Sequence, residues 1–297
     1  MTHPLILGTV QLGQAYGIAN TTGQPEQQEA NSIVRTAWDA GIMLFDTAQG
    51  YGNSESVLGA ALRHCNATNS ARIITKLAPT LPADAPYLRA SVTRSLRTLG
   101  VKKLYCLMLH REEHLPLLDD WQGEVMKEFL DQGAVERLGV SVYTPEAALR
   151  ALEHPLLSVV QIPASLFDRR FAAAGVFTAA REAGKELHIR SVFLQGVLAM
   201  LPEQLPATLS ALAPHLTTLH QTCTSHGCTP LQGALGWMLQ RYPESYVLFG
   251  AETADQVRQN IDFAVRGATL PTTLYQDLDA IFPPQLPELL NPALWRR

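Results

Sequence analysis

Hydrophobic and polar positions along the chain fall into two patterns that take turns. Short continuous apolar runs, each bounded by turn residues, are separated by longer amphipathic stretches. The runs are LILGTVQ from Leu5, IMLFDTA from Ile42, RIITKL from Arg72, LYCLMLH from Leu104, RLGVSV from Arg137, SVVQIP from Ser158, LHIRSVF from Leu187 and SYVLFG from Ser245. Between them lie stretches such as QEANSIVRTAWDAG, APYLRASVTRSLRTLG and DDWQGEVMKEFLDQG, several closing on glycine (Gly41, Gly100, Gly133, Gly184) as helices feeding a strand do. Runs that are apolar throughout suit strands covered on both faces, hence a parallel sheet under helices. Eight such strand–helix units with no Pro/Gly/Ser-rich linker predict an α/β fold, a (β/α)8 TIM barrel forming a single domain over residues 1–297. The stretch from Leu201 to Leu239 is long enough for two helices before the last strand. The tail FPPQLPELLNPALWRR is proline-rich and reads as irregular, lying over the barrel surface.

Composition narrows the partners. The 297 residues are 46% hydrophobic and 17% charged, enough for a large core. A net charge of −4 gives no basic excess for nucleic acid or an anionic membrane. The start, MTHPLILGTVQLGQ, has no basic n-region, and no apolar run approaches the roughly 18 residues of a bilayer span. These features predict a soluble, cytoplasmic protein. The four cysteines (Cys65, Cys106, Cys223, Cys228) then read as reduced thiols. The cluster HQTCTSHGC (His220, Cys223, His226, Cys228) matches no common metal spacing. Thr229-Pro230 reads instead as the start of one helix and His226-Gly227 as the end of another, so no metal is expected.

In a barrel of this kind the C-terminal ends of the strands face the site. The second run gives Asp46, with Tyr51 on the loop after it. The third ends in Lys76 and the fourth in His110, while the fifth carries Ser141 and the sixth Gln161. The seventh gives Arg190 and Ser191, and the eighth ends at Gly250 before a helix beginning near Thr253. Any one of these alone serves a turn or cap more often than a reaction. Asp, Tyr, Lys and His from consecutive strands, converging on one mouth, are harder to explain by packing. Their chemistry is specific. A phenol is a weak acid, with a pKa of about 10. An ammonium beside it stabilises the phenolate and makes Tyr51 a better proton donor. Asp46 keeps Lys76 charged and oriented, and a neutral His110 directs a carbonyl oxygen to the phenol. Protonating a developing alkoxide is what carbonyl reduction needs, with the hydride coming from a cofactor.

The segments FDTAQGYGNSE, IITKL, LMLHR, GVSVY and VVQIPASLFDRR, in this order, resemble the aldo-keto reductase superfamily, and the likeness runs from LGTVQLG to AETADQVRQNI. The resemblance implies that Asp46, Tyr51, Lys76 and His110 form the catalytic tetrad, with Tyr51 as general acid. It implies NADP(H) or NAD(H) as cofactor and a small-molecule carbonyl as substrate. By the same resemblance Gly8 and Thr9 lie against the cofactor, and Ser141 and Gln161 hold the nicotinamide carboxamide. Val142 stands where the family usually has asparagine. Arg190-Ser191 replaces an aromatic residue and serine, a planar guanidinium offering an alternative stacking surface. Gly250 and the helix through Asn260 correspond to the segment gripping the adenosine phosphate, with Glu252 and Gln256 near the 2′ position. A carboxylate at Glu252 repels a 2′-phosphate but accepts hydrogen bonds from a ribose hydroxyl, so NAD(H) stands beside NADP(H). Loop positions nominate Tyr16, Arg111, Phe167, Phe193 and Trp295 to line the substrate site. The alternative to an enzyme is a nicotinamide-nucleotide-binding regulatory protein acting through a protein partner.

Overall fold

The computed structural model describes residues 4–18, 20 and 22–295. Eight parallel strands close into a barrel in sequence order: β1 (Leu5–Gly8), β2 (Leu44–Asp46), β3 (Arg72–Lys76), β4 (Cys106–Leu109), β5 (Leu138–Ser141), β6 (Val159–Pro163), β7 (Glu186–Arg190) and β8 (Tyr246–Gly250), with β8 paired back to β1. All eight lie within or beside the runs that the apolar pattern marks out. The register sets Gly8 opposite both Asp46 and Gly250, and Ser141 opposite Gln161. The strand ends carrying the polar residues are thereby drawn to one rim.

Two apolar cores hold this arrangement. Ile6, Leu44, Ile74, Cys106, Met108, Val159 and Leu248 fill the lumen, while a larger cluster fills the annulus between strands and helices. Continuous apolar runs arise because both faces of every strand are buried. The helices start where the sequence provides caps. Asp84, Thr144, Thr229 and Thr253 each accept a hydrogen bond from a backbone N–H in the first turn, at 3.0 to 3.3 Å. Proline occupies an early helical position after the first three of these.

Strand β7 departs from the all-apolar rule. Side chains alternate along a strand, so Glu186, His188 and Arg190 share one face, from the barrel floor to the mouth. At the floor the Tyr105 hydroxyl donates to Glu186 at 2.7 and 2.8 Å, and the His188 Nε2 lies 3.2 Å from the same carboxylate. The Arg72 and Arg137 guanidiniums cover the Tyr105 ring at 4.1 and 4.7 Å. Burial, reinforced by Glu186, pushes the Tyr105 phenol well above its ordinary pKa.

Between β7 and β8 two helices, Ala213–Ser225 and Pro230–Arg241, follow a run of short 3-10 turns. The helix Thr272–Asp279 leads into the tail, which is mostly irregular but contains the helical turn Pro287–Leu290 and a 3-10 turn, Pro292–Leu294. Arg169 clamps this region. Its guanidinium donates to the carbonyls of Leu278, Asp279 and Ile281 at 2.8 to 3.0 Å and lies over the Trp237 ring. Arg170 pairs with Asp168 at 2.8 Å. Both arginines thus serve the fold. Among the described residues no helix is long and apolar enough to cross a membrane.

Candidate active site

The site is built around Asp46, buried at the end of β2. Its Oδ1 accepts from Lys76 Nζ at 2.5 Å, across from the end of β3, and its Oδ2 accepts from Gln161 Nε2 at 2.8 Å, from β6. Lys76 Nζ also donates to the Thr47 carbonyl at 3.3 Å and to the Tyr51 hydroxyl at 3.4 Å. The His110 ring stands edge-on to Tyr51, with centroids 5.5 Å apart and planes at 86°. The four residues expected to form the tetrad are therefore side by side at the mouth.

Tyr51 is held by its backbone. A methyl group on Gly13 would stand 1.8 Å from the Tyr51 carbonyl oxygen, and one on Gly52 would stand 2.2 Å from the Gly13 carbonyl oxygen. Gly52 also has φ 55°, in the left-handed region that glycine enters without strain. The loops after β1 and β2 thus touch backbone to backbone, which explains Gly52; on the other side of the phenol a methyl group on Gly50 would stand 2.9 Å from Pro79 Cδ and 3.3 Å from His110 Cε1. Behind them the Thr9 hydroxyl donates to the Asp46 carbonyl at 2.8 Å, and Ser54 joins Thr9 and Thr47 at 2.9 Å each. Gly13→Ala should destabilise the protein by about 1–3 kcal/mol, the usual cost of overpacking, and should lower kcat by moving Tyr51. Thermal denaturation and steady-state kinetics that both match the wild type would refute this backbone contact.

The electrostatics separate the roles. Burial alone would pull the Lys76 ammonium down, but Asp46, followed by Tyr51, reverses this and holds its pKa above the ordinary value. For Tyr51 the balance differs from what the sequence leads one to expect. Lys76 does favour the phenolate, yet burial outweighs it and the pKa is raised above 10.0. Tyr51 therefore starts fully protonated, with the ammonium already in place to meet the charge that proton donation leaves behind. Burial and then Lys76 lower His110 to about 4, so its imidazole is neutral near pH 7.

From this mouth a cleft runs between β1 and β8 to the helix Ala254–Gly267. Gly8, Thr9, Gln161, Arg190, Ser191 and Gly250 line its inner part; Glu252, Gln256 and Asn260 line its far end. Ser141 is buried at the end of β5 and does not reach the cleft wall. Arg190 donates to the Val142 carbonyl at 3.1 Å and lies 4.0 Å above the Tyr143 ring, so the position without the family's asparagine contributes a backbone oxygen. Gln256 accepts from the Glu252 N–H at 2.7 Å, and Asn260 Nδ2 donates to the Gln256 carbonyl at 2.8 Å. Three buried acceptors on the wall, Gln11 Oε1, Gln161 Oε1 and Asn260 Oδ1, have no protein partner. Buried acceptors of this kind favour a ligand rich in amino, amide and hydroxyl donors.

Of the positions nominated for the substrate, Tyr16 and Phe193 line the cleft. Phe167 does not: it is fully buried, edge-on to His215, because the loop after β6 folds into the annular core. Arg111 is solvent-exposed and Trp295 packs on the annular core, neither on the cleft wall. Two bridges over the cleft were not foreseen: Gln195 Nε2 donates to the Tyr16 hydroxyl at 3.0 Å, and Thr22 Oγ1 donates to Glu252 at 3.0 Å. Ser191, Leu194 and Gln195 all have φ between 49 and 61°, a rare conformation for such residues that clusters at functional loops. Nothing in the sequence signals that strain. Gln259 and Phe263 also line the cleft, and here a signal existed: with Gln256 and Asn260 they fall at i, i+3, i+4 and i+7 on one helix face. Among the described residues no group of three or more His, Cys, Asp or Glu is placed to hold a metal ion. His220 contacts the Met200 carbonyl at 3.1 Å, and His226 contacts Asp277 at 2.9 Å.

A closed parallel barrel with a buried lysine–aspartate pair behind a protonated tyrosine, opening on an elongated donor-seeking cleft, has the equipment of a redox enzyme that works on oxygen-bearing carbon. The profile of the Aldo/keto reductase family matches residues 4–282, and the chain belongs to that family. It is 24% identical to the aldo-keto reductase str7 of Strobilurus tenacellus over 87% of this chain and 82% of that protein. Its fold is similar to that of the aldo-keto reductase AKR11C1 from Bacillus halodurans in its holo form, with TM-score 0.76 and 21% identity over 95% and 93% of the two chains. The thermostable aldo-keto reductase Tm1743, solved with the inhibitor epalrestat, gives TM-score 0.72 and 21% identity over 94% and 95%. Family membership makes this chain an NAD(P)H-dependent oxidoreductase.

Proposed function

We propose that the chain reduces an aldehyde, ketone or sugar-like carbonyl to the alcohol and prefers NAD(H) to NADP(H). The observation that carries the first part is the contact of Lys76 with both Asp46 and the Tyr51 hydroxyl, at 2.5 and 3.4 Å. A bound nicotinamide coenzyme supplies the hydride. Tyr51 gives its proton to the carbonyl oxygen, and Lys76 stabilises the phenolate left behind. Asp46 keeps Lys76 charged, while neutral His110 offers an uncharged N–H to orient the oxygen. Gln161, tied to Asp46 by its amide nitrogen, keeps Oε1 free to accept from a carboxamide. Arg190, fixed by Tyr143 and Val142, presents a flat cation beside it.

The coenzyme preference rests on charge. Among the described residues that line the cleft, Arg190 is the one Lys or Arg, and it sits near Tyr51. The far end offers Glu252, Gln256, Gln259 and Asn260, and Arg258 on the same helix is exposed and engaged with Asp255. A 2′-phosphate there would meet a carboxylate without a compensating cation, whereas a free 2′-hydroxyl can donate to it. Glu252→Arg should tighten NADPH by about ten- to thirtyfold, or roughly 1–2 kcal/mol after screening, with NADH unchanged or weaker. Fluorescence titration of both nucleotides at two ionic strengths tests this. Equal shifts for the two coenzymes would remove Glu252 from the 2′ site. A carbonyl panel with each coenzyme tests the reaction itself, and no turnover of any aldehyde, ketone or sugar would sink it.

A further inference from the structure

Cys223 and Cys228 take no part in the chemistry above, yet the fold sets their thiols together. The helix Ala213–Ser225 ends in a complete Schellman motif. The Cys228 N–H donates to the Cys223 carbonyl at 2.9 Å, the Gly227 N–H donates to the Thr224 carbonyl at 3.0 Å, and Gly227 has φ 71°. This cap brings the side chains of its first and last residues into contact, normally two apolar groups. Here both are thiols. They converge above Gly233 of the next helix: a methyl group there would stand 2.7 Å from the Cys223 sulfur and 3.8 Å from the Cys228 sulfur. Cys223 is fully buried, and Cys228 lies at the surface edge with 9% exposure. Leu231, three residues beyond Cys228, is on the wall of the cleft.

We propose that Cys223 and Cys228 form a modification site, a dithiol that hydroperoxides oxidise to an intramolecular disulfide beside the coenzyme cleft. The Cys228 sulfur attacks the O–O bond of the peroxide, is oxidised to the sulfenic acid and releases water (or, from an organic peroxide, the alcohol). The Cys223 thiol then attacks that sulfur, the S–O bond breaks, a second water leaves, and the S–S bond forms. Two thiols are oxidised for each peroxide reduced. The roles follow from the difference in exposure between the two adjoining sulfurs. The neighbouring thiol, with His226 assisting, holds the Cys228 pKa below its ordinary value, while the Cys228 sulfur and burial raise that of Cys223. The less deeply buried, more acidic sulfur attacks, and the fully buried one resolves. Cys65 has no such neighbour; burial raises its pKa. Cys106 is sealed in the lumen and raised further.

The test uses the full-length reduced protein, stepped hydrogen peroxide, alkylation after denaturation, and peptide mass mapping. Cys223 and Cys228 should leave the alkylatable pool together, at least tenfold faster than Cys65 or Cys106. They should appear as one linked segment lighter by two hydrogens, and dithiothreitol should restore both. Cys223→Ser should trap Cys228 as a dimedone-reactive sulfenic acid, and Cys228→Ser should leave Cys223 unreacted at the same dose. The proposal is overturned if both thiols remain alkylatable while Cys65 oxidises, if either goes to sulfinic acid without the linked form appearing, or if Cys223 reacts equally fast without Cys228. None of these readouts depends on catalytic turnover.

Discussion

Tyr51→Phe should lower kcat for carbonyl reduction by at least about 10²-fold while leaving coenzyme affinity within about twofold, the pattern for losing a general acid. The substitution removes one oxygen, which lies 3.4 Å from Lys76 Nζ, and keeps the ring that stands edge-on to His110. Geometry around the cofactor cleft is untouched, so binding survives. The pH dependence carries a second signature. A phenol can donate only below its pKa, and burial holds that of Tyr51 above 10.0. Wild-type reduction should therefore stay level through neutral pH and decline only in the alkaline range, and alcohol oxidation, which needs the phenolate, should rise with pH. His110 titrates near 4 and stays neutral throughout that range, so it adds no second limb. Steady-state kinetics of purified Tyr51→Phe with near wild-type turnover would dismiss Tyr51 as the acid.

Lys76→Met should damage the protein twice. It abolishes the cation that stabilises the Tyr51 phenolate, and it strands Asp46, buried at 2% exposure, with Gln161 as the remaining side-chain donor to its carboxylate. Removing one member of a buried ion pair costs about 3–5 kcal/mol, more than any surface change considered above. Adding Asp46→Asn should return much of that stability, because the stranded charge is gone, but none of the activity. Denaturant unfolding of the single and double variants separates the two effects. If the double variant is no more stable than Lys76→Met, the loss comes from packing. The pair also fixes a pH window. Lys76 has a raised folded pKa, so its stabilising contribution is complete below the unfolded value of about 10.4 and disappears as pH climbs through the folded one.

The barrel is legible because its strands are buried on both faces and therefore mostly apolar, and because, β7 apart, most of the polar residues that break those runs sit toward the rim. Asp46, Lys76 and Gln161 are each the kind of residue that a lumen-facing position tolerates only with a partner. Each turns out to have one in the same cluster. The misreadings have physical causes too. Loop position points to Phe167, but it does not say whether an aromatic ring turns toward a cleft or into a core. The raised Tyr51 pKa depends on how completely the phenol is desolvated, which only packing determines. The Tyr16–Gln195 and Thr22–Glu252 bridges join residues far apart in sequence, and the positive φ values beside one of them have no glycine to advertise them.

Strand β7 threads the barrel with Glu186 at one end and Arg190 at the other, about 13 Å apart for four residues of extended chain. The lower end ties Tyr105, His188 and two arginines into the foundation, and the upper end lines the cleft. Sites that far apart with no shared partner influence each other little. Selection can then drift one end toward new specificities while the other is tuned for heat, and a lineage keeps its scaffold while changing its chemistry.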